Sequence, residues 1–162
     1  MDGVRLIAIS RDALARSLPE RDTMVEAWQA QALSGAVGGH LALRGPQELR
    51  AEARALSESG GRGCGALEVP TVRGGLIRAA QLTEVSDVRE VLTALGVLLG
   101  EVGIALVGVA CGTDEESVYW QCIEAMDAAD ESGDRVRGML RKLEERDAEK
   151  SPGQSRSRSG SE

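Results

Sequence analysis

Residues 86–111 read SDVREVLTALGVLLGEVGIALVGVAC, and residues 114–148 read DEESVYWQCIEAMDAADESGDRVRGMLRKLEERDA. In the first stretch Val88, Leu92, Leu95, Leu99, Val102, Leu106 and Val109 recur at spacings of 4, 3, 4, 3, 4 and 3. In the second, Tyr119, Cys122, Met126, Ala129, Gly133, Val136, Leu140 and Leu143 follow the same rhythm. That period lines one face of an α-helix with apolar residues. Between the stretches, Gly112 is a natural helix stop. Thr113 with Glu116 has the spacing of a capping box, in which each side chain satisfies an orphan backbone N–H. The pattern predicts a long antiparallel helical hairpin, and the hairpin makes the fold class all-α.

Working outward, residues 2–17 predict a first helix that stops before Pro19, with Val4, Ile7, Ala8, Leu14 and Leu18 at helical spacing interrupted by Arg11. Residues 21–44 predict a second helix, with Trp28, Ala32, Gly35, Gly39 and Ala42 on its inner face and a possible early end at Gly38-Gly39. Pro46 restarts the chain, and Leu49, Ala53 and Leu56 mark a third helix ending at Gly60-Gly61. The Gly-rich segment 60–75, GGRGCGALEVPTVRGG, reads as a long loop, which in a compact domain is functional or mobile. A short helix is also expected over 76–82, and the fold expected is an all-α bundle of four main helices plus one short one, centred on the 86–111 and 114–148 hairpin. The bundle domain is expected over 1–149, and 150–162 reads as a disordered polar tail. At 1.5 Å per residue the hairpin helices would be about 39 and about 52 Å long. The longer one overhangs its partner, so Val136, Met139, Leu140 and Leu143 need cover, from the first or second helix or from another copy of the chain.

Composition narrows the function classes. The chain has 162 residues, enough for one domain with a real core. It has two Trp, one Tyr and no Phe, so the core is aliphatic and offers few platforms for stacking on bases or sugars. Net charge is −7, which disfavours nucleic acid as a partner. Leu6-Ile7-Ala8-Ile9 is too short for the apolar region of a signal peptide. Three cysteines without paired spacing read as reduced thiols, and the expected location is cytoplasmic.

From Val91 to Cys111 there are 21 residues with only Thr93 and Glu101 polar. That length fits a membrane span, and Gly96-x-x-x-Gly100 adds the small-residue motif of membrane helix pairs. A buried central helix of a bundle has the same composition, and Glu101 at the midpoint favours it. Gly96, Gly100 and Gly103 on this helix, and Gly35 and Gly39 on the second, would let those two helices approach closely. Glu101 is a candidate buried carboxylate, with Arg54, Arg62 and Arg78 as candidate partners. Cys64, flanked by glycines and near Arg62, is the candidate reactive thiol. Cys64, Cys111, Cys122 and His40 lack the close ligand spacing of a structural zinc site. The Gly-rich segment lacks the Gly-Lys-Ser/Thr ending of a phosphate loop. Glu124, Asp127, Glu131 and Asp134 form an acidic stripe that reads as a solvated face. Trp120 is a candidate interface anchor. No catalytic set, cofactor or metal is expected.

The strings LLGEVGIALVGVACGTDEESVYWQCIEAMDAADESGDRVRGMLRKL (98–143), EAWQAQAL (26–33) and GGRGCG (60–65) resemble a family of small helical proteins from streptomycetes and their relatives, a domain of unknown function. The resemblance implies an actinobacterial cytosolic protein and nothing catalytic, and it transfers no site residues. The leading expectation is a non-enzymatic interaction or regulatory bundle, with a possible homodimer through Val136, Met139, Leu140 and Leu143 of the last helix. The alternatives are a ligand-binding or thiol-redox bundle using 60–75 and Cys64, and membrane association through 91–111.

Overall fold

The structure is a computed structural model that describes residues 1–18, 20–69 and 76–150. Residues 151–162 of the expected tail and 70–75 of the Gly-rich segment therefore lie outside the described residues. Five α-helices carry the fold: α1 (Gly3–Arg16), α2 (Glu20–Arg44), α3 (Arg50–Ala66), α4 (Val88–Gly112) and α5 (Glu116–Glu149). Single 3-10 turns at Gln47–Leu49 and Arg78–Gln81 take the places of the α3 lead-in and the expected short helix. Among the described residues there is no strand, only an isolated bridge between Asp2 and Glu84.

The hairpin forms with small shifts at its ends. Asp87 caps α4: its carboxylate accepts the Glu90 N–H at 3.0 Å. At the turn, Thr113 Oγ1 accepts the Glu115 N–H at 3.1 Å, two residues on, so the bond of a capping box with Glu116 is replaced by a tighter turn. Gly112 ends α4 without a left-handed backbone angle.

α2, α3, α5 and α4 form a ring in which each helix packs on the next, and α1 lies along α2 and α4. Gly3 sits beside Val91 and Arg11 beside Glu101, so α1 runs parallel to α4. The buried side of α4 comprises Val91, Leu92, Leu95, Leu98, Leu99, Val102, Leu106 and Val109. It meets Cys122, Ala125, Ala129, Val136, Met139 and Leu143 of α5 within one core. Tyr119, expected on that seam, is exposed at the start of α5.

Two expectations about the glycines change. The stretch Gly60–Ala66 is helical and extends α3 instead of opening a loop. The reason is the α2–α3 crossing, the most extensive helix contact in the bundle. A Cβ at Gly60 would meet Gly35 N at 2.6 Å, and one at Gly38 would meet Ser57 N at 2.6 Å. Backbones this close leave room only for glycine, and the burial gained holds a Gly-rich sequence in helix. The close approach therefore joins α2 to α3, not α2 to α4: nothing lies within 4 Å of a Cβ at Gly100 or Gly103. The inner face of α2 is also rotated from the expected one. Ala27, Ala30, Gln31, Leu33, Ser34, Val37 and Leu41 are buried, whereas Trp28, Ala32, Gly35 and Gly39 stand at the edge, and the helix continues through Gly38-Gly39 to Arg44.

A few polar contacts cross the core. Ser59 and Ser132 hydroxyls meet at 2.6 Å between α3 and α5, and Gln31 Nε2 donates to the Ala125 carbonyl at 3.2 Å. Arg78 pairs with Glu26, donates from Nε to Ser10 Oγ at 3.3 Å, and through its N–H reaches Gln29 Oε1 at 3.0 Å. These bonds pin the 76–81 segment onto α1 and α2.

Candidate interaction surface

The uncovered feature of the bundle is the outer face of α4. Thr93, Val97, Gly100, Ile104, Val107 and Cys111 are all exposed. Ile104 is 75% exposed, Val97 45% and Val107 44%. These positions alternate at spacings of 4 and 3 and lie opposite the buried seam, so α4 carries two apolar seams, and the described residues of its own chain cover one. The expectation of a helix buried on every side is corrected here. The closed ring of α2, α3, α5 and α4 leaves the outward face of α4 bare, and α1 covers only one shoulder of it. Large aliphatic side chains left in water forfeit about 25 cal/mol per Å² of apolar surface, and contiguous exposed patches of this kind mark interaction sites.

The shoulder between α1 and α4 is a groove of about 520 Å³, walled by Ala8, Ala15, Ile104 and Ala105. Across it Arg11 chelates Glu101: Nε donates to Oε2 at 3.0 Å and Nη2 to Oε1 at 2.6 Å. Glu101 is thus a half-exposed, ion-paired carboxylate, not a buried one, and its partner is Arg11 from the parallel α1, not Arg54, Arg62 or Arg78. The carboxylate holds the Arg11 guanidinium above its ordinary pKa, through the hydrogen bonds first and the charge second.

The expected interface at the end of α5 is occupied by this chain. Val136 and Met139 are fully buried and Leu143 nearly so, with Leu140 partly buried against the core. α3 and the 47–49 turn supply the cover, fastened by Arg135 and Lys142 on Glu52 at 3.5 and 3.6 Å. Arg89 of α4 pairs with Asp147 further along α5. A homodimer through those side chains would require opening the core. Trp120 does remain on the surface, 54% exposed, with Tyr119 edge-on to its ring at 5.2 Å.

Cys64 is half-buried at the end of α3, and its thiol donates to the Trp28 carbonyl at 3.5 Å. Burial pushes its pKa up to about 11, the reverse of the activation expected from Arg62. Arg62 is turned away to pair with Glu131 of α5. Burial also raises Cys122 to about 11, with a smaller contribution from the Glu20 charge. Among the described residues no three His, Cys, Asp or Glu side chains gather to hold a metal. A cleft of about 970 Å³ opens beside Cys64, floored by Met24, Trp28, Leu67 and Val118 and rimmed by Glu20 and Glu115. Among the described residues it is a candidate site for a small ligand.

The residues of the α4 outer seam were not singled out as a surface by the sequence. Their signal was present as a second 4, 3, 4, 3, 4 spacing through Thr93, Val97, Gly100, Ile104, Val107 and Cys111. It was masked because a helix apolar all round reads equally as a buried axis.

Fold and surface together define a small all-helical bundle in which, among the described residues, the outer apolar face of α4 is uncovered. The chain belongs to a family of unknown function, DUF6099, which matches residues 1–142. No curated protein and no solved structure matches it.

Proposed function

We propose that the chain is a cytosolic, non-enzymatic interaction protein that docks through the outer face of α4. The supporting observation is the exposed seam itself: Val97, Ile104 and Val107 are held by a rigid helix whose opposite side is locked into the core. The free thiols Cys64, Cys111 and Cys122 support the reducing location. A ligand cleft and a thiol site have weaker support, since the Cys64 thiol is deactivated by burial. α4 is long and apolar enough to cross a membrane, with a mean hydropathy of 2.2 over its best window. Membrane crossing would, however, pull Leu92, Leu95, Val102 and Leu106 out of the core they share with α5, and docking does not.

Cys111 provides the test, because it is an exposed free thiol on the seam. A maleimide should label Cys111 slowly in a native lysate, where the partner covers the face, and rapidly in the purified chain at nanomolar concentration. Equal rates in both would overturn the docking role.

A further inference from the structure

We infer that the occupant of the α4 outer seam is the same seam of a second copy, in an antiparallel two-fold pair. This rests on the reading of that face as a docking surface. The positions 93, 97, 100, 104, 107 and 111 are exposed without exception, and their spacing of 4, 3, 4, 3, 4 is a palindrome centred near Val102. A two-fold axis there brings residue 104 opposite residue 100 of the partner subunit, 97 opposite 107, and 93 opposite 111.

The chemistry matches that register. Ile104, the most exposed large side chain of the helix, faces Gly100 of the partner subunit, and the relation is reciprocal. Gly100 offers open space, with nothing within 4 Å of where a Cβ would stand. Val97 meets Val107 of the partner subunit, and the small Thr93 and Cys111 close the ends. A knob facing a hole twice over is the self-complementarity that an isologous interface requires. The 3.5-residue period is that of helices which pack at a shallow angle and keep one face together.

The area is sufficient. The seam is about 27 Å long at 1.5 Å per residue. Counting the flanking faces of α1 and α5 at helix spacings of 8–10 Å on either side, the footprint reaches at most about 700 Å² per copy. Standard stable interfaces bury about 800 Å² per partner. The Arg11–Glu101 pair lies at the level of the axis and carries no net charge, so it serves as a polar rim.

The experiment is sedimentation velocity on the full chain from low to high micromolar concentration, with a thermal melt of each variant. The wild type should move from monomer to dimer. Gly100→Leu should remain monomeric throughout while melting at or above the wild-type temperature, because the added side chain meets nothing in its own chain and improves helix propensity. Ile104→Ala should raise the dimer Kd by about tenfold or more through loss of the knob. A wild type that stays monomeric, or a Gly100→Leu variant that dimerises as well as the wild type, overturns the inference. A monomeric purified chain whose Cys111 is nevertheless protected in lysate would replace the second copy with a different protein and leave the docking role standing.

Discussion

Cys64 stands two residues from Arg62 in the chain, yet the guanidinium never activates the thiol. On α3 the two side chains diverge: Arg62 reaches Glu131 on α5, and Cys64 turns toward the Trp28 carbonyl on α2. Proximity in sequence carried the expectation, and helical geometry reversed it. Glu101 makes the same point from the other direction. Its need for a cation was legible, but the partner lies 90 residues away on a helix whose parallel course no local pattern discloses. The thiols lead to a prediction. Cys64 and Cys122 are raised from 9.0 to about 11, so at neutral pH each holds about a hundredfold less thiolate than an ordinary cysteine. A disulfide reporter should therefore react with Cys64 and Cys122 far more slowly than with the exposed Cys111. The same shifts set a pH window. The unfolded thiols ionise near 9 and the folded ones near 11, so the unfolded state loses protons first as pH rises. Stability should be complete below pH 9 and decline between about 9 and 11, read as a falling denaturant midpoint. A midpoint that is flat through that range would show that the thiols are not shielded.

At the scale of the element, α3 shows how tertiary contact overrides a local signal. A glycine inside a helix costs about 1 kcal/mol relative to alanine, and Gly60, Gly61, Gly63 and Gly65 together argue for a loop. The helix persists because Gly60 meets the Gly35 backbone and Gly63 meets the Gln31 side chain, letting α2 and α3 pack at backbone distance. The hairpin was legible because its information is periodic and local. The α2–α3 crossing was not, since a glycine that fits a neighbour and a glycine that breaks a helix look identical in one dimension. Two single substitutions separate these roles. Gly61→Ala enters open space and should stabilise the protein by up to about 1 kcal/mol through helix propensity. Gly60→Ala places its Cβ 2.6 Å from Gly35 N and 2.8 Å from Gly35 Cα, atoms of a backbone that cannot yield without separating the helices. It should destabilise by about 1–3 kcal/mol, the range for overpacking a core. Denaturant melts of the pair check both signs, and a stabilising Gly60→Ala would refute the close crossing.

For the whole molecule, the sequence placed the unpartnered surface at the wrong end of the hairpin. Length alone gave α5 an overhang, but α3 folds back against α5 and closes the ring over Val136, Met139 and Leu143. The surface left over is decided by that closure, a global property, and it falls on the outer seam of α4. Association through this seam has a salt signature. Each chain carries a net charge of −7, so two copies repel as they approach. The seam itself is aliphatic, with its flanking Arg11–Glu101 charges already paired within the chain. Salt therefore screens the repulsion without weakening the attraction. The Debye length contracts from about 30 Å at 0.01 M to about 10 Å at 0.1 M, well inside the dimensions of the bundle. The dimer Kd should fall as ionic strength rises over that range. An interface built from complementary charge, such as the acidic α5 face against a basic partner surface, would weaken instead. A sedimentation series in sodium chloride thus separates an apolar seam from an ion-paired one, and a Kd that rises with salt would exclude the α4 seam as the contact.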